Sequence, residues 1–291
     1  MTTGSSDSSP TARRRRLSAE LRALREGHVQ PDGRRTTSVD VAETLGWARS
    51  KLSRIENNQW KRPSPRDVKD LLDYYGVEDE DRRAYILTLV TEGRSKAWWS
   101  ETEDLYGGSP NYIGLEAAAR RIRSWGYLVP GLYQTPGYAT AVVRGGGIRD
   151  EDEIKRRVEA RMKRQSILSG PEPPQVWAVV DEAAIRKPVG SSEVHAEQIR
   201  HLIELTKAEH LTLQVMLDST GAHPGMGSPF AILNFEPTER PVVHLETLTE
   251  SLLLEETSKT DRYDLVFHHI SARAASPDET VAHLEEVLNN L

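Results

Sequence analysis

The sequence predicts a multidomain protein with an all-α N-terminal domain of five helices and an α/β C-terminal domain with a mixed sheet. Residues 13–95 carry helical periodicities separated by short polar turns. From residue 112 onward, β-rich runs alternate with amphipathic helices, and 291 residues suffice for two cores. We therefore expect a disordered tail at 1–12, a helical domain at 13–95, a linker at 96–111 and a second domain at 112–291.

The N-terminal segment combines a Ser/Thr/Gly-rich stretch at 1–10 with four consecutive arginines at positions 13–16. The first stretch has the composition of a disordered segment. The arginines suit either an arm that enters the minor groove of DNA or the solvated start of a helix. We favour the helix start, because a flexible arm adds affinity without specifying sequence.

The segment TSVDVAETLGWARSKLSRIEN has the pattern of two short helices joined by a tight turn. Val41 and Leu45 contribute to an apolar face on the first helix. Gly46 then interrupts the period and suits the left-handed backbone of a sharp turn. Leu52 and Ile55 recur at i and i+3, which predicts a second helix with its own buried stripe. Further helices are predicted before this pair, at 21–27, and after it, at 62–77 and 78–95.

The second helix of the pair separates apolar from polar side chains. At about 100° per residue, Ala48 falls on the same side as Leu52 and Ile55. The opposite side carries short hydroxyls and arginines, namely Arg49, Ser50, Ser53 and Arg54. Such a face suits either contacts with base edges in the major groove or an ordinary solvated surface.

The distribution of charge favours DNA as the partner of this face. Residues 11–66 contain 14 Lys and Arg against 6 Asp and Glu, a net charge of +8. The whole chain carries −6, and residues 67–291 carry −13. One basic module in an acidic protein is typical of a DNA-binding domain.

The run VAETLGWARSKLSRIEN resembles the lambda-repressor-like, XRE-type helix-turn-helix, and the similarity covers roughly residues 15–77. The resemblance implies base contacts by Arg49, Ser50 and Arg54. It also implies that Thr37 and Ser38 cap the first helix of the pair and touch phosphate. Glu56 is expected to form a structural ion pair with Arg25. The full set of expected DNA-binding residues is Thr37, Ser38, Arg49, Ser50, Lys51, Ser53 and Arg54.

One segment departs from the family pattern. The link HVQPDGRRTT, before the first helix of the pair, is several residues longer than the usual tight connection. Pro31, Asp32 and Gly33 predict a turn, and Arg34 and Arg35 add two positive charges. The link is either a loop that grips phosphate or a tolerated surface insertion.

In the C-terminal domain, helices are predicted at 113–125 and 150–169. Strands at 175–181 and 211–217 flank a helix at 194–207, which favours a parallel pair with a crossover. The segments PFAILNF, PVVHLET and SLLLEE follow at short spacing and suit antiparallel additions to the sheet. Two helices close the chain, and the last has an amphipathic face that can pack on the sheet or on a partner.

The segments LVPGLYQTPGYA, WAVVDEAAIRKPVG and GAHPGMGSPFAILNF resemble the C-terminal domain of actinobacterial, WhiJ-type, antitoxin-like regulators. The similarity runs from about residue 112 to the end. It implies an XRE repressor fused to a domain without an established chemistry. It also implies a small acidic partner protein encoded nearby.

Catalytic and metal-binding patterns are weak. Asp181 and Glu182 end a strand, but adjacent strand residues point to opposite faces, and Asp181 is better explained as a helix cap. His223 lies in a glycine-rich loop that lacks the phosphate-binding order. His244 and Glu246 would share one strand face, without a visible third ligand. We therefore expect no enzyme, no cofactor and no metal.

The composition narrows the function further. Zero cysteines exclude disulfides and thiol catalysis, and no run of 18 apolar residues predicts a membrane span. We expect a cytoplasmic, sequence-specific transcriptional repressor that binds double-stranded operator DNA as a homodimer and receives a signal or partner through its C-terminal domain. The alternative is an antitoxin-like protein that mainly binds the small partner, with DNA binding serving autoregulation.

Overall fold

The computed structural model describes residues 9–60, 62–95, 110–236, 239–247 and 251–291. The chain divides into two compact units, residues 1–100 and residues 101–291. The predicted linker at 96–111, with Trp98 and Trp99, falls mostly outside the described residues. Within the described residues, no helix combines the length and apolar character needed to cross a membrane.

The described part of the N-terminal unit is helical. Its helices are α1 (Pro10–Gly27), α2 (Ser38–Thr44), α3 (Arg49–Glu56), α4 (Pro65–Tyr74) and α5 (Glu80–Gly93). Each of the last four begins close to the position that the sequence predicts. Their buried side chains form one apolar core with contributions from all five helices: Leu17, Leu21, Val41, Leu52, Ile55, Val68, Leu71, Leu72, Tyr75, Ile86, Leu89 and Val90.

Helix α1 begins earlier than expected. Ser9 caps it by accepting a hydrogen bond from the Ala12 amide at 3.4 Å, and Pro10 occupies the first turn, where its missing N–H costs nothing. Residues 10–12, assigned to the disordered tail by sequence, are therefore helical and buried. Residues 1–8 of that tail lie outside the described part of the chain.

The four arginines at positions 13–16 belong to α1 and do not form an arm. Arg13 pairs with Glu92 at 2.9 Å, and Arg14 donates to the Gly93 carbonyl at 3.0 Å. Arg15 is only 7% exposed. The arginines therefore start a helix, as favoured, but they are not solvated as expected, because their contacts with the end of α5 join the two terminal helices of the unit.

The turn between α2 and α3 depends on Gly46, whose φ of +64° lies in the left-handed region that favours glycine. The Trp47 amide closes the turn by donating to the Ala42 carbonyl at 2.7 Å. Ala48 was expected on the inner side of the second helix. It is exposed instead, because it occupies the N-cap position before α3 begins.

The C-terminal unit contains a mixed six-stranded sheet in the order β3-β2-β1-β4-β5-β6. Strands β1 to β3 run parallel, and β4 to β6 add antiparallel neighbours. The strands are β1 (Arg121–Gly126), β2 (Gln175–Asp181), β3 (Leu211–Met216), β4 (Phe230–Asn234), β5 (Val242–Glu246) and β6 (Ser251–Leu254). The predicted parallel pair and antiparallel additions are confirmed.

Helices cover this sheet and connect its strands. They are α6 (Pro110–Glu116), α7 (Pro136–Gly145), α8 (Glu151–Arg164), α9 (Ala183–Arg186), α10 (Ser192–Leu205), α11 (Thr257–Arg273) and α12 (Pro277–Asn289). Helix α10 is the predicted crossover between β2 and β3. The last helix packs on β3, where the buried Thr280 hydroxyl accepts a hydrogen bond from the Val215 amide at 3.1 Å.

The helix predicted at 113–125 is wrong over most of its length. Helix α6 ends at Glu116, and β1 follows in the middle of the sheet, paired with β2 on one side and β4 on the other. Alanines and arginines favour a helix locally, but two ladders of backbone hydrogen bonds and the burial of Ile122 and Trp125 outweigh that propensity.

Candidate nucleic-acid interface

Helix α3 presents one polar face to solvent and one apolar face to the core. Leu52 and Ile55 are buried among the side chains of the N-terminal unit. The exposed side chains are those expected to contact DNA, namely Arg49, Ser50, Ser53 and Arg54. The structure therefore places these four residues on a single accessible surface, which we call the α3 face.

The two arginines of the α3 face have few interactions with other residues that the structure describes. The Arg49 side chain is 81% exposed, and its nearest carboxylate oxygen, on Glu43, lies 3.9 Å away. Arg54 makes no side-chain hydrogen bond or ion pair with any residue that the structure describes. Both guanidinium groups can therefore offer planar pairs of donors to an outside acceptor.

Lys51 differs from its neighbours. Its ammonium lies 2.9 Å from a carboxylate oxygen of Asp67 and 3.9 Å from the centre of the Trp47 ring. These contacts place Lys51 between α3 and the start of α4 and hold its charge within the unit.

The end of α3 is held by arginines from α1. Arg25 and Glu56 are brought together in a bidentate ion pair, with Nε to Oε1 at 2.7 Å and Nη2 to Oε2 at 3.0 Å. The Glu56 side chain is 7% exposed, and its hydrogen bonds raise the pKa of Arg25. Arg22 donates to the Glu56 carbonyl at 2.7 Å, which places a cation at the negative end of the helix dipole.

Thr37 caps α2 through a reciprocal arrangement with Asp40. The Thr37 hydroxyl accepts from the Asp40 amide at 3.3 Å, and the Asp40 carboxylate accepts from both the amide and the hydroxyl of Thr37 at 2.7 Å. Ser38 follows as the first residue of α2. Both donors of Thr37 are therefore engaged within the protein.

The long link before α2 forms a short hairpin that is attached to the rest of the unit. Val29 and Arg35 form an antiparallel bridge. Arg34 donates two hydrogen bonds to Asp40, both at 2.7 Å, and these hydrogen bonds keep the pKa of Asp40 well below its usual range. Gln30 donates to the Tyr74 hydroxyl at 2.7 Å. Of the two arginines in the link, Arg34 is thus ion-paired, and Arg35 is exposed.

Two residues of this region were not singled out from the sequence. Asp40 follows Thr37 at the spacing of a capping box, so the T-x-x-D pattern could have identified it. Arg22 has no comparable local signal, because its contacts are with residues more than thirty positions away.

The candidate catalytic groups of the C-terminal unit have structural partners. Asp181 accepts from the Ala183 amide at 3.0 Å, at the start of α9. Glu182 pairs with Arg186 and accepts from the Asp218 amide at 2.7 Å. His223 packs edge-on against Trp125. Among the described residues, no group of three or more His, Asp or Glu side chains is arranged to hold a metal ion.

The helix pair and its exposed basic face define a class of protein. Residues 16–85 match the family described as a helix-turn-helix domain, and the chain is a DNA-binding regulator. This match points to a regulator rather than an enzyme. Residues 110–286, more than half of the chain, match the family described as a domain of unknown function, DUF5753, and the chain belongs to that family. No curated protein and no solved structure shows significant similarity to the chain.

Proposed function

We propose that the protein is a sequence-specific transcriptional repressor that inserts α3 into the major groove of operator DNA. The observation that carries this proposal is the α3 face, where Arg49 and Arg54 are exposed and weakly held or unengaged by the described residues. Arginine pairs its donors with the two major-groove acceptors of guanine, and each such contact discriminates by about 1–3 kcal/mol.

The other expected DNA-binding residues differ in whether their side chains already have partners within the protein. Ser50 and Ser53 lie on the same face and suit shorter contacts with bases or backbone. Thr37 caps α2, so within this proposal the Ser38 hydroxyl is the better phosphate donor. Lys51 is the weakest member of the set, because Asp67 and Trp47 hold its ammonium. Arg25 and Glu56 keep α3 in place.

We propose that the protein binds as a homodimer to two half-sites. Helix-turn-helix repressors of this kind usually place their recognition helices about one helical turn of DNA apart. The C-terminal domain would then receive the signal or partner that changes operator occupancy. Footprinting tests the spacing, and sedimentation at the DNA-binding concentration tests the stoichiometry.

The decisive experiment is a binding titration of the full chain on DNA from its own upstream region, with a scrambled duplex as competitor. Arg49→Ala and Arg54→Ala should each weaken specific binding by about 1–3 kcal/mol and relax one base position. Lys155→Ala, an exposed cation of α8, makes the same charge change in the other unit and should leave discrimination intact. If the double variant Arg49→Ala/Arg54→Ala still discriminates between the duplexes, the assignment of the α3 face is wrong.

A second candidate is an antitoxin-like protein that mainly binds a small acidic partner, with DNA binding for autoregulation. The resemblance of the C-terminal domain to WhiJ-type regulators supports it. Charge supports the basic region as the place where an acidic partner would dock, since residues 11–66 carry +8 and residues 67–291 carry −13. Co-purification of the neighbouring small protein, and its competition with operator DNA, would favour this candidate. No complex at micromolar concentrations would count against it.

A further inference from the structure

The C-terminal unit contains a cavity of about 670 Å³ that none of the preceding functions uses. It lies between α6, α8, the start of the loop after β1, and the strands β1, β4 and β5. Its volume falls within the range of roughly 300–1,000 Å³ that is usual for small-molecule sites.

One part of the cavity wall is apolar and aromatic. The sheet contributes Ile122 from β1, Val176 from β2 and Ala231 from β4, which share one face of the sheet with His244. Tyr112 stacks on His244 with ring centres 3.9 Å apart. Further apolar lining comes from the loop after β1, where Leu128 is exposed and Val129 and Leu132 are buried. A flat apolar body would find a stacked ring pair and aliphatic side chains here.

Another part of the wall is basic, and it comes from one face of α8. Arg157, Arg161 and Arg164 recur at i, i+4 and i+7, all line the cavity and all are half-buried. The remaining cations of the same helix, Lys155, Arg156 and Lys163, are exposed. The structure therefore separates the cations of α8 into an inner and an outer set.

The inner arginines are held in place by the protein. Arg164 forms a bidentate pair with Glu116, at 2.5 and 3.0 Å, and Glu116 has a side-chain exposure of only 2%. Arg161 donates to the side-chain oxygen of Gln134 at 2.7 Å, and Gln134 is itself buried and donates to the Val129 carbonyl at 2.7 Å. Such fixed guanidinium groups need little reorganisation to bind an anion.

The residues that line the cavity carry a net positive charge. They include three arginines and two carboxylates, Glu116 and Glu246, whereas Glu153, the partner of Arg157, lies outside the lining. His244 adds no charge near neutral pH, because burial, and the neighbouring Arg164, lower its pKa to about 4. The Tyr112 hydroxyl is neutral as well, because burial raises its pKa. An anionic group therefore meets a favourable field inside an otherwise acidic unit.

We propose that this cavity binds a small organic anion with an apolar, ring-containing body. Its anionic group lies against Arg157 and Arg161, and its body lies against Ile122, Ala231 and the stacked rings of Tyr112 and His244. That this ligand is the signal received by the C-terminal domain rests on the proposed function, whereas its binding to the cavity does not.

The test uses two fluorescent probes with the same ring skeleton. 8-Anilinonaphthalene-1-sulfonate carries an anionic group, and N-phenyl-1-naphthylamine lacks it. The full chain, without DNA, should bind the sulfonate at one saturable site. Arg161→Gln should weaken sulfonate binding by about tenfold or more and change binding of the neutral probe by less than about twofold. Lys155→Gln, the matched control on the outer side of α8, should change neither.

Circular dichroism and thermal unfolding establish that each variant is folded. If Arg161→Gln unfolds the C-terminal unit, Arg157→Gln provides the same comparison, because the Arg157 side chain is 30% exposed and pairs with Glu153 near the surface. Equal losses with Lys155→Gln, equal losses for both probes, or no saturable sulfonate site would each overturn the proposal.

Operator binding, measured separately, keeps the two proposals distinguishable. If Arg54→Ala no longer discriminates operator from scrambled DNA and the parent protein has no saturable sulfonate site, only the cavity proposal is rejected. A sulfonate site in a protein without operator discrimination would reject the proposed repressor function and leave the cavity as a binding site.

Discussion

Two arginine-rich helices, α3 and α8, differ in what their arginines contact. On α3, Arg49 and Arg54 point to solvent and have a distant partner or no described partner. On α8, Arg161 and Arg164 are half-buried beside a cavity and are bonded to side chains that are themselves buried. The same residue type therefore suits α3 for a large polyanion and α8 for a small enclosed ligand.

The physical reason for the difference is desolvation. An exposed guanidinium keeps its hydration until DNA replaces the water, and its contribution is strongly dependent on salt. A half-buried guanidinium has already lost part of its hydration, so it needs internal partners in the absence of ligand. Glu116 and Gln134 are such partners for the arginines of α8. Among the described residues, Arg54 of α3 has no corresponding hydrogen-bond partner. Sequence charge alone does not distinguish these two cases.

The ion pair between Arg25 and Glu56 fixes the position of α3, and Glu56→Ala tests this with the largest expected effect. Removal of the carboxylate leaves Arg25, whose side chain is 18% exposed, without its bidentate partner. We expect the free energy of unfolding of the N-terminal unit to fall by about 3–4 kcal/mol, as for other broken buried pairs. Urea titrations of the full chain measure it. Glu43→Ala, an exposed carboxylate on α2, is the control, and a similar loss in both variants would contradict the expectation.

The burial of His244 at the cavity predicts a pH dependence of stability. His244 stacks on Tyr112 and lies near Glu116, Arg164 and Glu246 around the cavity, and burial lowers its pKa from 6.5 to about 4. Between these values the unfolded chain binds a proton that the native chain does not, so stability is lost as the pH falls. The loss from this residue reaches roughly 3 kcal/mol by pH 4.

The variant His244→Phe removes this titration while keeping an aromatic ring beside Tyr112. The difference in unfolding free energy between about pH 7 and about pH 4.5 should shrink relative to the parent protein. Comparing differences cancels the constant effect of losing the hydrogen bond between His244 and Ser251. An unchanged pH dependence in the variant would show that another group titrates.

The exposure of the α3 arginines predicts a loss in binding without a loss in stability. Arg54→Ala should weaken specific operator binding by about 2 kcal/mol and leave the thermal unfolding of the N-terminal unit unchanged, because no described residue bonds its side chain. Arg22→Ala is the informative counterpart, since Arg22 bonds the end of α3 and should reduce stability. Destabilisation by Arg54→Ala would mean that its side chain has a structural role.

Lys51→Ala should have the smallest effect, and it should lower stability rather than DNA binding. Its ammonium contacts Asp67 and Trp47, so we expect a stability loss below about 1 kcal/mol. Discrimination between operator and scrambled DNA should be retained, because the amine is occupied within the unit. A relaxed base preference in this variant, measured by the same titration as for Arg54→Ala, would place Lys51 among the base contacts.

Several features of the protein follow from the sequence by itself. The periods of the apolar residues predict α2 to α5, and Gly46 marks the turn, because the helical repeat and the left-handed backbone are local properties. The β-rich runs predict β2 and β3 and their crossover. The amphipathic pattern of α3 separates Leu52 and Ile55 from the arginines, and the charge distribution favours DNA.

Only the tertiary structure decided the remaining features. The strand at 121–126 replaces a predicted helix because its hydrogen-bond partners, β2 and β4, lie more than fifty and one hundred residues away. The arginines at 13–16 join α1 to α5 for the same reason, through contacts with Glu92 and Gly93. The division of the α8 cations into an inner and an outer set depends on where Glu116 and Gln134 lie around the cavity. Local periodicity determines which elements form, whereas burial and distant partners determine whether an arginine is available to an outside ligand.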